Sequence, residues 1–378
     1  MASLTNRKIV LLFGSLELGG AERQGLLLAR HLHEQQAAEV QVWGLGAERG
    51  AVADQCDAWG IPWRALPLHW GLRRRLPHLL RLWWNLRGAQ PEILLSYTTV
   101  PNLAAALLWP LCGVRLCVWN QADAGLLLPA SWLHRWAISR VNQLIANAEG
   151  GRQYLLETFG LLPTRVRLIR NGVSLAPALA DRATWRQRLS AAPDAVLVVM
   201  VANLSRYKDH ATLLRAWRLL LSSRGGRTDL LVLAGRFDDQ AASLQQQAEQ
   251  LGIAHQVRFL GAVSDVAGLL AAADICAHSS PSEGIPNAVL EAMASGLPVT
   301  GSDIPGLREA VGEEGFPLLV PVGNAEALAA LLQRLMQDPV LRHRQGELMR
   351  QRAEQQFGLE RMCNETVDYL QTALGDVR

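Results

Sequence analysis

The chain has 378 residues, of which 49% are apolar and 19% are charged, and its formal net charge is +3. This length predicts two domains or one large one, and the apolar share indicates full hydrophobic cores and excludes a disordered chain. The small net charge gives no argument for nucleic-acid binding by itself.

Apolar, strand-like runs alternate with longer segments of helical periodicity, which is the pattern of parallel sheets covered by helices. The strands predicted in the first half are 8–13, 40–43, 93–97, 115–119, 143–146 and 166–170. The pattern loosens between 174 and 194 and restarts with strands 196–201, 229–234, 257–260, 275–277, 299–301 and 318–320. We therefore predict an α/β chain of two doubly wound, Rossmann-like domains, 1–173 and 174–358, that face a ligand-binding cleft. A last helix within 359–378 is expected to pack back on the first domain.

The sequence predicts a cytoplasmic location. The first residues, MASLTNRKIVLLFG, lack the features of a signal peptide and indicate a strand. The most apolar run, 100–114, contains Pro101 and Pro110 and is shorter than the roughly 20 residues of a membrane-spanning helix. Five cysteines form no C-x-x-C pair and are expected to be reduced, mostly buried thiols: Cys56, Cys112, Cys117, Cys276 and Cys363.

The segment 279–311, SSPSEGIPNAVLEAMASGLPVTGSDIPGLREAV, carries the most functional information. The start of a helix is predicted at Gly284, Ile285, Pro286 and Asn287, and its end at Gly296. A helix N-terminus presents free N–H groups and partial positive charge, which attract phosphate. Glu283 before the helix and Glu291 within it would repel phosphate but can accept hydrogen bonds from sugar hydroxyls. The pattern therefore indicates a nucleotide-sugar site.

The motif E-G-x-P-x-x-x-x-E, followed by A-x-x-x-G-x-P-V, resembles the signature of the retaining GT-B glycosyltransferases of family 4, also called group 1. The resemblance covers essentially the whole chain and implies the GT-B fold, in which two Rossmann-like domains face a cleft. It implies that Glu283 lies at the donor sugar and diphosphate and that Glu291 binds the ribose hydroxyls. The other donor-binding residues implied for this segment are Gly284, Ile285 and Asn287.

Two further loops match the family. Gly20 lies in the sequence LGGAER after the first strand and corresponds to a glycine loop that faces the donor phosphate. Lys208, after the first strand of the second domain, matches the lysine that stabilises the leaving diphosphate. The family arginine five residues earlier is replaced by Asn203, which keeps a donor-binding position, and Arg206 is the candidate to supply the missing charge.

The acceptor side departs further from the family. Many members place a histidine near residues 118–123, whereas this chain has Asn120, Gln121 and Asp123. Asn120 and Gln121 are candidates to bind sugar hydroxyls, and Asp123 is a candidate to position the acceptor. A polar loop without a catalytic role is the alternative. A front-face mechanism, in which the departing phosphate oxygen takes the acceptor proton, would explain the absence of an obvious base.

The sequence predicts no metal and no cofactor apart from the nucleotide-sugar substrate. The adjacent Asp238 and Asp239 lack the D-x-D spacing of metal-dependent glycosyltransferases. The Rossmann G-x-G-x-x-G, the P-loop and the H-E-x-x-H motifs are absent from the sequence. No nucleic-acid partner is predicted, because no fold signature for one is present.

The segment 59–87 combines five tryptophans and six arginines with no acidic residue. A helix is predicted from Pro77 to Gly88, with a narrow polar face. Tryptophan and arginine together are typical of a lipid headgroup boundary, so this segment predicts peripheral attachment to an anionic membrane at the inner face of the cytoplasmic membrane. A helix packed on the sheet beside a solvated arginine cluster is the alternative.

The predicted function is that of a hexosyltransferase in cell-surface polysaccharide or glycolipid synthesis. It would move a sugar from a nucleotide-diphosphate donor to a hydroxyl of a lipid-linked or saccharide acceptor. One alternative is a nucleotide-sugar epimerase of the same fold, which would need no acceptor. Another is a non-catalytic sugar-nucleotide-binding protein at the membrane surface, which would bind the donor without turnover.

Overall fold

The computed structural model describes residues 3–68, 72–123, 125, 128–223 and 228–376, and for 72–75 and 223 it describes the backbone alone. The chain divides into two compact units, residues 1–172 with 359–378 and residues 173–358. Each unit is built around one parallel sheet.

The first unit alternates strands with helices. Its strands are β1 (Lys8–Phe13), β2 (Glu39–Gly44), β3 (Trp63–Ala65), β4 (Ile93–Tyr97), β5 (Leu116–Gln121), β6 (Gln143–Ala146) and β7 (Val166–Leu168). Its helices between the strands are α1 (Gly20–Glu34), α2 (Ala51–Ala58), α3 (Leu72–Ala89), α4 (Thr99–Leu108), α5 (Trp132–Arg140) and α6 (Glu149–Phe159). The sheet order in the described residues is β3-β2-β1-β4-β5-β6-β7, and every pair is parallel.

The helices form a layer on each face of this sheet, because alternate residues of a strand point to opposite faces. On one face Ile9 and Leu11 of β1 pack in a cluster with Leu26 of α1 and Val52 of α2. On the other face Val10 and Leu12 of β1 belong to a second cluster. That cluster includes Leu82 and Leu86 of α3, Leu103 and Ala104 of α4, and Ala137 and Ile138 of α5. Helices α3, α4 and α5 therefore belong to one layer.

The second unit repeats the architecture. Its strands are β8 (Leu197–Val201), β9 (Leu230–Ala234), β10 (Val257–Gly261), β11 (Ile275–His278), β12 (Val299–Ser302) and β13 (Leu319–Val320). Its helices are α7 (Arg182–Arg188), α8 (His210–Ser223), α9 (Ala241–Gln250), α10 (Val266–Ala272), α11 (Asn287–Ala294), α12 (Pro305–Val311), α13 (Ala325–Gln337) and α14 (Pro339–Gln356). Within the described part of the chain the sheet order is β10-β9-β8-β11-β12-β13. The order reverses between β8 and β11, which makes their carboxyl ends the expected ligand site.

The last helix, α15 (Leu359–Asp376), belongs to the first unit. Its buried residues Met362, Val367 and Leu370 join the apolar cluster on the α1 side of the sheet. Gly172 lies against the start of this helix, since a Cβ at Gly172 would lie 2.8 Å from the Cα of Leu359.

One buried carboxylate fastens residues 179–185 to the second unit. Asp265, 7% exposed, accepts hydrogen bonds from the backbone N–H groups of Leu179 and Ala180 and from the indole N–H of Trp185 at 2.8 Å. Burial alone would raise the pKa of Asp265, but these hydrogen bonds and one from the N–H of Gly268 lower it below its ordinary value.

The predicted fold class, two Rossmann-like doubly wound units, is confirmed. Strand β3 was not predicted because its three residues, Trp63 to Ala65, are too short to form a distinct apolar run. The helix predicted from Pro77 to Gly88 has the wrong start, since α3 begins at Leu72 and contains Pro77. A proline removes one helical hydrogen bond, but the packing of the apolar face of α3 stabilises the helix regardless.

Candidate functional site

The candidate site lies at the carboxyl ends of β8 and β11 in the second unit. The loop 202–209 follows β8, and the loop 279–286 follows β11. Hydrogen bonds join these two loops. The backbone N–H of Asp209 donates to the carbonyl of Ser279 at 3.0 Å, and the hydroxyl of Ser279 donates to the carbonyl of Asp209 at 2.7 Å. The hydroxyl of Ser280 also donates to the carbonyl of Tyr207 at 3.3 Å.

These bonds hold the flanking residue Lys208 opposite Glu283. The Nζ of Lys208 forms an ion pair with the Oε1 of Glu283, and both side chains are mostly buried. The Nε2 of His278, the last residue of β11, lies 3.1 Å from the same oxygen. Burial alone would raise the pKa of Glu283, but the hydrogen bond with His278 and the charge of Lys208 outweigh it and lower the pKa to about 2. Glu283 is therefore ionised at neutral pH.

A second buried histidine lies beside this cluster. His210, 1% exposed, is the first residue of α8. Burial and the nearby His278 and Lys208 lower its pKa to about 4, although the carbonyl of Ala202 partly opposes this. His210 is therefore neutral at pH 7 and adds no positive charge beside Lys208.

The glycine-containing loop leads from Glu283 into α11. Pro286 occupies the N-cap with an extended backbone, φ −71° and ψ 123°, and Asn287 is the first helical residue. Ile285 is buried, and Gly284 packs against α12 so closely that a Cβ at Gly306 would lie 1.7 Å from its carbonyl oxygen. Glu291, 4% exposed, lies one turn inside α11.

Asn203, which stands in the position of the family arginine, has a structural contact. Its Oδ1 accepts a hydrogen bond from the backbone N–H of Arg236 at 3.2 Å, which ties the β8 loop to the β9 loop. The side chain of Arg206 is exposed, and its guanidinium lies over the ring of Tyr207 at 5.2 Å. Asn203 therefore links two loops through a hydrogen bond, whereas the charge of Arg206 is exposed to solvent.

The remaining candidates lie in the first unit. Gly20 is the first residue of α1. Asn120 and Gln121 end β5 and are buried. The Nδ2 of Asn120 donates to the carbonyl of Ser96 at 3.1 Å, and the Nε2 of Gln121 donates to the Oδ1 of Asp123 at 3.1 Å. These internal hydrogen bonds stabilise the carboxyl end of β5. Binding of an acceptor by Asn120, Gln121 or Asp123 stays a prediction.

Sequence reasoning did not identify His278 or His210. The signal for His278 is its position as the last residue of an apolar strand, five residues before Glu283. A further signal concerns Lys208. The chain contains 37 basic residues, and only Lys8 and Lys208 among them are lysines. A lysine in so arginine-rich a sequence indicates a position where a compact ammonium on a flexible stem is required.

Among the described residues, no cluster of three or more His, Cys, Asp or Glu side chains has an arrangement that could hold a metal ion. No helix in the described ranges is long and apolar enough to cross a bilayer.

Two family models match the chain in succession. Residues 18–177 match Glycosyltransferase Family 4, and residues 181–352 match Glycosyl transferases group 1. Among curated proteins, D-inositol 3-phosphate glycosyltransferases are similar. That of Kineococcus radiotolerans is 31% identical over 63% of this chain, and that of Saccharomonospora viridis is 30% identical over 64%. The matches span 59% and 58% of the length of these two relatives.

Solved structures share the fold. Anabaena Alr3699/HepE in complex with UDP and glucose has a TM-score of 0.82 at 21% identity, covering 96% of this chain and 99% of the other. WaaG, a glycosyltransferase involved in lipopolysaccharide biosynthesis, has a TM-score of 0.72 at 17% identity, covering 96% and 99%. At these identities the likeness establishes the GT-B fold of the chain.

Proposed function

The chain belongs to the family 4, group 1 glycosyltransferases, and on that premise we propose that it transfers a hexose from a nucleotide-diphosphate sugar to a hydroxyl of a saccharide or lipid-linked acceptor. The observation that carries this proposal is the cluster of Lys208, Glu283 and His278 where the strand order of the second unit reverses. Curated relatives named as glycosyltransferases, and a neighbour solved with UDP-glucose, support a nucleotide-sugar donor.

The donor would bind across the β11–α11 loop. Its diphosphate would contact Lys208 and the positive end of the α11 dipole, around Gly284, Ile285 and Asn287. Glu283 would accept a hydrogen bond from the donor sugar, and Glu291 would accept hydrogen bonds from the ribose.

Transfer requires stabilisation of the leaving group. The bond between the anomeric carbon and the phosphate oxygen breaks, and the diphosphate gains negative charge that the ammonium of Lys208 stabilises. The acceptor oxygen forms the new bond on the same face of the sugar, and its proton moves to the departing phosphate oxygen. This route retains the anomeric configuration, needs no protein base and no metal, and is inferred from the family.

A panel of UDP-, GDP- and ADP-glucose in a thermal-shift assay tests the donor proposal. A ligand at about 100 times its dissociation constant adds roughly 2.7 kcal/mol to the free energy of unfolding. We expect one nucleotide class to raise the melting temperature. A flat response to all three at millimolar concentration would contradict the proposed function.

The two alternatives give different outcomes once a donor is found. An epimerase would convert the donor sugar without an acceptor, whereas a transferase releases nucleoside diphosphate in proportion to glycosylated acceptor. A non-catalytic binding protein would raise the melting temperature and produce neither. Product analysis by mass spectrometry with and without acceptor distinguishes all three.

We also propose that the α3–α5 layer of the first unit faces an anionic membrane, from which a lipid-linked acceptor would be reached. Large apolar side chains project from this layer into solvent: Leu76, 66% exposed, Leu80, 53%, Trp84, 71%, Leu111, 59%, and Trp132, 79%. The three helices share the cluster beneath them, so these side chains extend from one layer. Hydrogen bonds also link the segment after α4 to α3 and to α5. Arg87 of α3 donates to the carbonyl of Leu111 at 3.4 Å, and the indole of Trp109 donates to the carbonyl of Arg140 of α5 at 3.1 Å.

The charge of this surface fits an anionic partner. Arg81, Arg87, Arg135 and Arg140 on α3 and α5 are exposed. Between residues 59 and 148 the sequence contains two acidic residues, and one of them, Glu92, is paired with Arg7 and Arg115. The segment 59–87 contributes α3, while Trp70 and the side chains of Arg73, Arg74 and Arg75 lie outside the described residues.

Sedimentation with anionic phosphatidylserine vesicles tests the membrane proposal. Each arginine near such a surface contributes about 1 kcal/mol, and inserted tryptophan adds attraction that salt does not screen. We expect binding that raised salt releases only in part, and loss of binding in the Trp84→Ala, Trp132→Ala double variant. Leu179→Ala, which removes a side chain 79% exposed on the other unit, is the matched control. Wild-type protein that stays in the supernatant at low salt would contradict the proposal.

A further inference from the structure

We infer that His278 is a positioning residue that fixes the orientation of the Glu283 carboxylate, so that one oxygen is held by the protein and the other is left for the donor sugar. This inference rests on the proposed function. It is carried by the position of His278 on the sheet and by the division of contacts between the two oxygens of Glu283.

The backbone of His278 is fixed by neighbouring strands. β11 lies between β8 and β12, and His278 pairs with Gly301 of β12. The approach there is close, since a Cβ at Gly301 would lie 2.0 Å from the carbonyl oxygen of His278. The side chain is 2% exposed, so it is enclosed by the core. His278 is therefore a rigid reference point next to the loop that carries Glu283.

Lys208 and His278 both contact Oε1 of Glu283. Among the described residues, no hydrogen-bond partner is found for Oε2 of Glu283. An ionised carboxylate has about four acceptor positions, so Oε2 can accept from a sugar hydroxyl while Oε1 stays occupied.

The two partners of Oε1 differ in what happens when a donor binds. Lys208 has a flexible stem and three N–H donors, so a bound diphosphate would compete with Glu283 for its ammonium. His278 lies on a central strand of the sheet, so a loop motion does not turn its ring toward the phosphate. Once Lys208 turns toward the diphosphate, His278 remains as the group that keeps Glu283 in place.

If His278 positions Glu283, its loss should weaken the contact with the donor sugar and leave the affinity for the nucleotide nearly unchanged. His278→Phe keeps an aromatic ring and removes the hydrogen bond, whereas His278→Gln keeps a side-chain N–H that can reach Glu283. Losing a hydrogen bond to a charged group changes affinity about ten- to a hundredfold. We expect His278→Phe to weaken binding of UDP-glucose by about that factor and UDP itself by less than about twofold. If the panel selects another base, the corresponding diphosphate and sugar conjugate replace this pair.

Isothermal titration calorimetry of both ligands gives the test, with turnover measured beside it. His278→Gln should recover most of the affinity for UDP-glucose, which a purely structural role for the ring would not allow. His134→Phe is the matched control, because His134 is also a buried histidine, with its Nδ1 2.7 Å from the hydroxyl of Ser131 in the first unit. If His278→Phe does not fold, His278→Asn, whose amide is too short to reach Glu283, takes its place.

Each outcome is decisive. Equal loss of UDP and UDP-glucose affinity in the His278→Phe variant would show that the ring supports the loop as a whole and would overturn the inference. Unchanged affinity and turnover would also overturn it. A wild-type protein that binds no nucleotide sugar would instead refute the proposed function, so the two failures are distinguishable.

Discussion

Replacement of Lys208 by alanine should lower turnover while leaving the protein folded. Lys208 is ion-paired with Glu283, whereas His210 beside it has its pKa lowered to about 4 and is neutral at pH 7. Removing one preorganised partner of developing charge costs about 10²- to 10³-fold in turnover. The donor should still bind, since the N-terminus of α11 and Glu291 remain in place.

The same change alters Glu283 in a measurable way. His278 and Lys208 lower the pKa of Glu283 from its ordinary value of 4.5 to about 2. Loss of Lys208 should therefore raise the pKa of Glu283. Burial alone would raise the pKa of Glu283, so the ion pair with Lys208 and the hydrogen bond with His278 together outweigh the cost of burying the carboxylate. We therefore expect a moderate loss of stability in Lys208→Ala, with a lower melting temperature and an intact fold.

Steady-state release of nucleoside diphosphate in the presence of acceptor measures this prediction. Lys8→Ala is the matched control, because Lys8 is the other lysine of the chain and is exposed on the first unit. Lys208→Arg keeps the charge but replaces the compact ammonium by a planar fork, and it should recover only part of the turnover. Turnover of Lys208→Ala within about twofold of the wild type would refute the placement of the leaving group beside Lys208.

Three further changes have defined outcomes. Glu291→Ala should weaken nucleotide binding by about ten- to a hundredfold without unfolding the protein, and calorimetry that finds equal affinity would remove its assignment to the ribose. The pKa of Glu283 is lower in the folded protein than in the unfolded chain, so the ionised carboxylate stabilises the fold at pH values above the unfolded pKa. This stabilisation is lost as the pH falls from about 4.5 to about 2. The acid limb of a plot of melting temperature against pH should therefore be flatter in Glu283→Gln, and an unchanged slope would contradict the ion pair. Gly235→Ala should destabilise the loop after β9, because Gly235 has φ +158° and a Cβ there would lie 2.0 Å from the carbonyl oxygen of Ala202. An unchanged melting temperature for this variant would show that the β8 and β9 loops are not packed so closely.

The fold could be predicted from the sequence because its central strands are buried on both faces and form distinct apolar runs. The predicted strands 8–13, 93–97 and 143–146 have the observed bounds. Strand β3 escaped prediction because its edge position leaves Trp63 only partly buried and Arg64 exposed, so it lacks a continuous apolar run. The start of α3 was missed because the rule for proline at helix starts describes local preference, and tertiary packing overrides it.

The candidate site was predictable in part. Glu283 and Lys208 could be singled out by motif, but their contact could not, because 75 residues separate them along the chain. The position of His278, at the end of an apolar strand and five residues before Glu283, places it near the motif but does not define a contact. Its role depends on the distance of 3.1 Å to Glu283, which only the folded loop defines.

Asn203, which replaces the family arginine, has a contact that the sequence did not predict. Sequence comparison identifies the loss of a cation there, but it does not indicate what the new residue contacts. The structure shows that Asn203 bonds to the backbone of Arg236, a residue on another loop. The charge of Arg206, two residues before Lys208, is exposed and stacked on Tyr207. A contact between distant loops has no periodicity or spacing from which it could be predicted.

Transfer of labelled sugar to an acceptor tests directly whether the protein is a glycosyltransferase that uses Lys208. Purified protein is incubated with carbon-14-labelled UDP-, GDP- or ADP-glucose and a membrane extract of the organism that encodes it, and label is counted in the lipid and polysaccharide fractions. We expect one donor to label an acceptor, with one nucleoside diphosphate released for each sugar transferred, and Lys208→Ala to abolish most of this incorporation. Incorporation that is equal for the wild type and Lys208→Ala, or absent with every donor while the free sugar nucleotide is epimerised, would contradict this expectation.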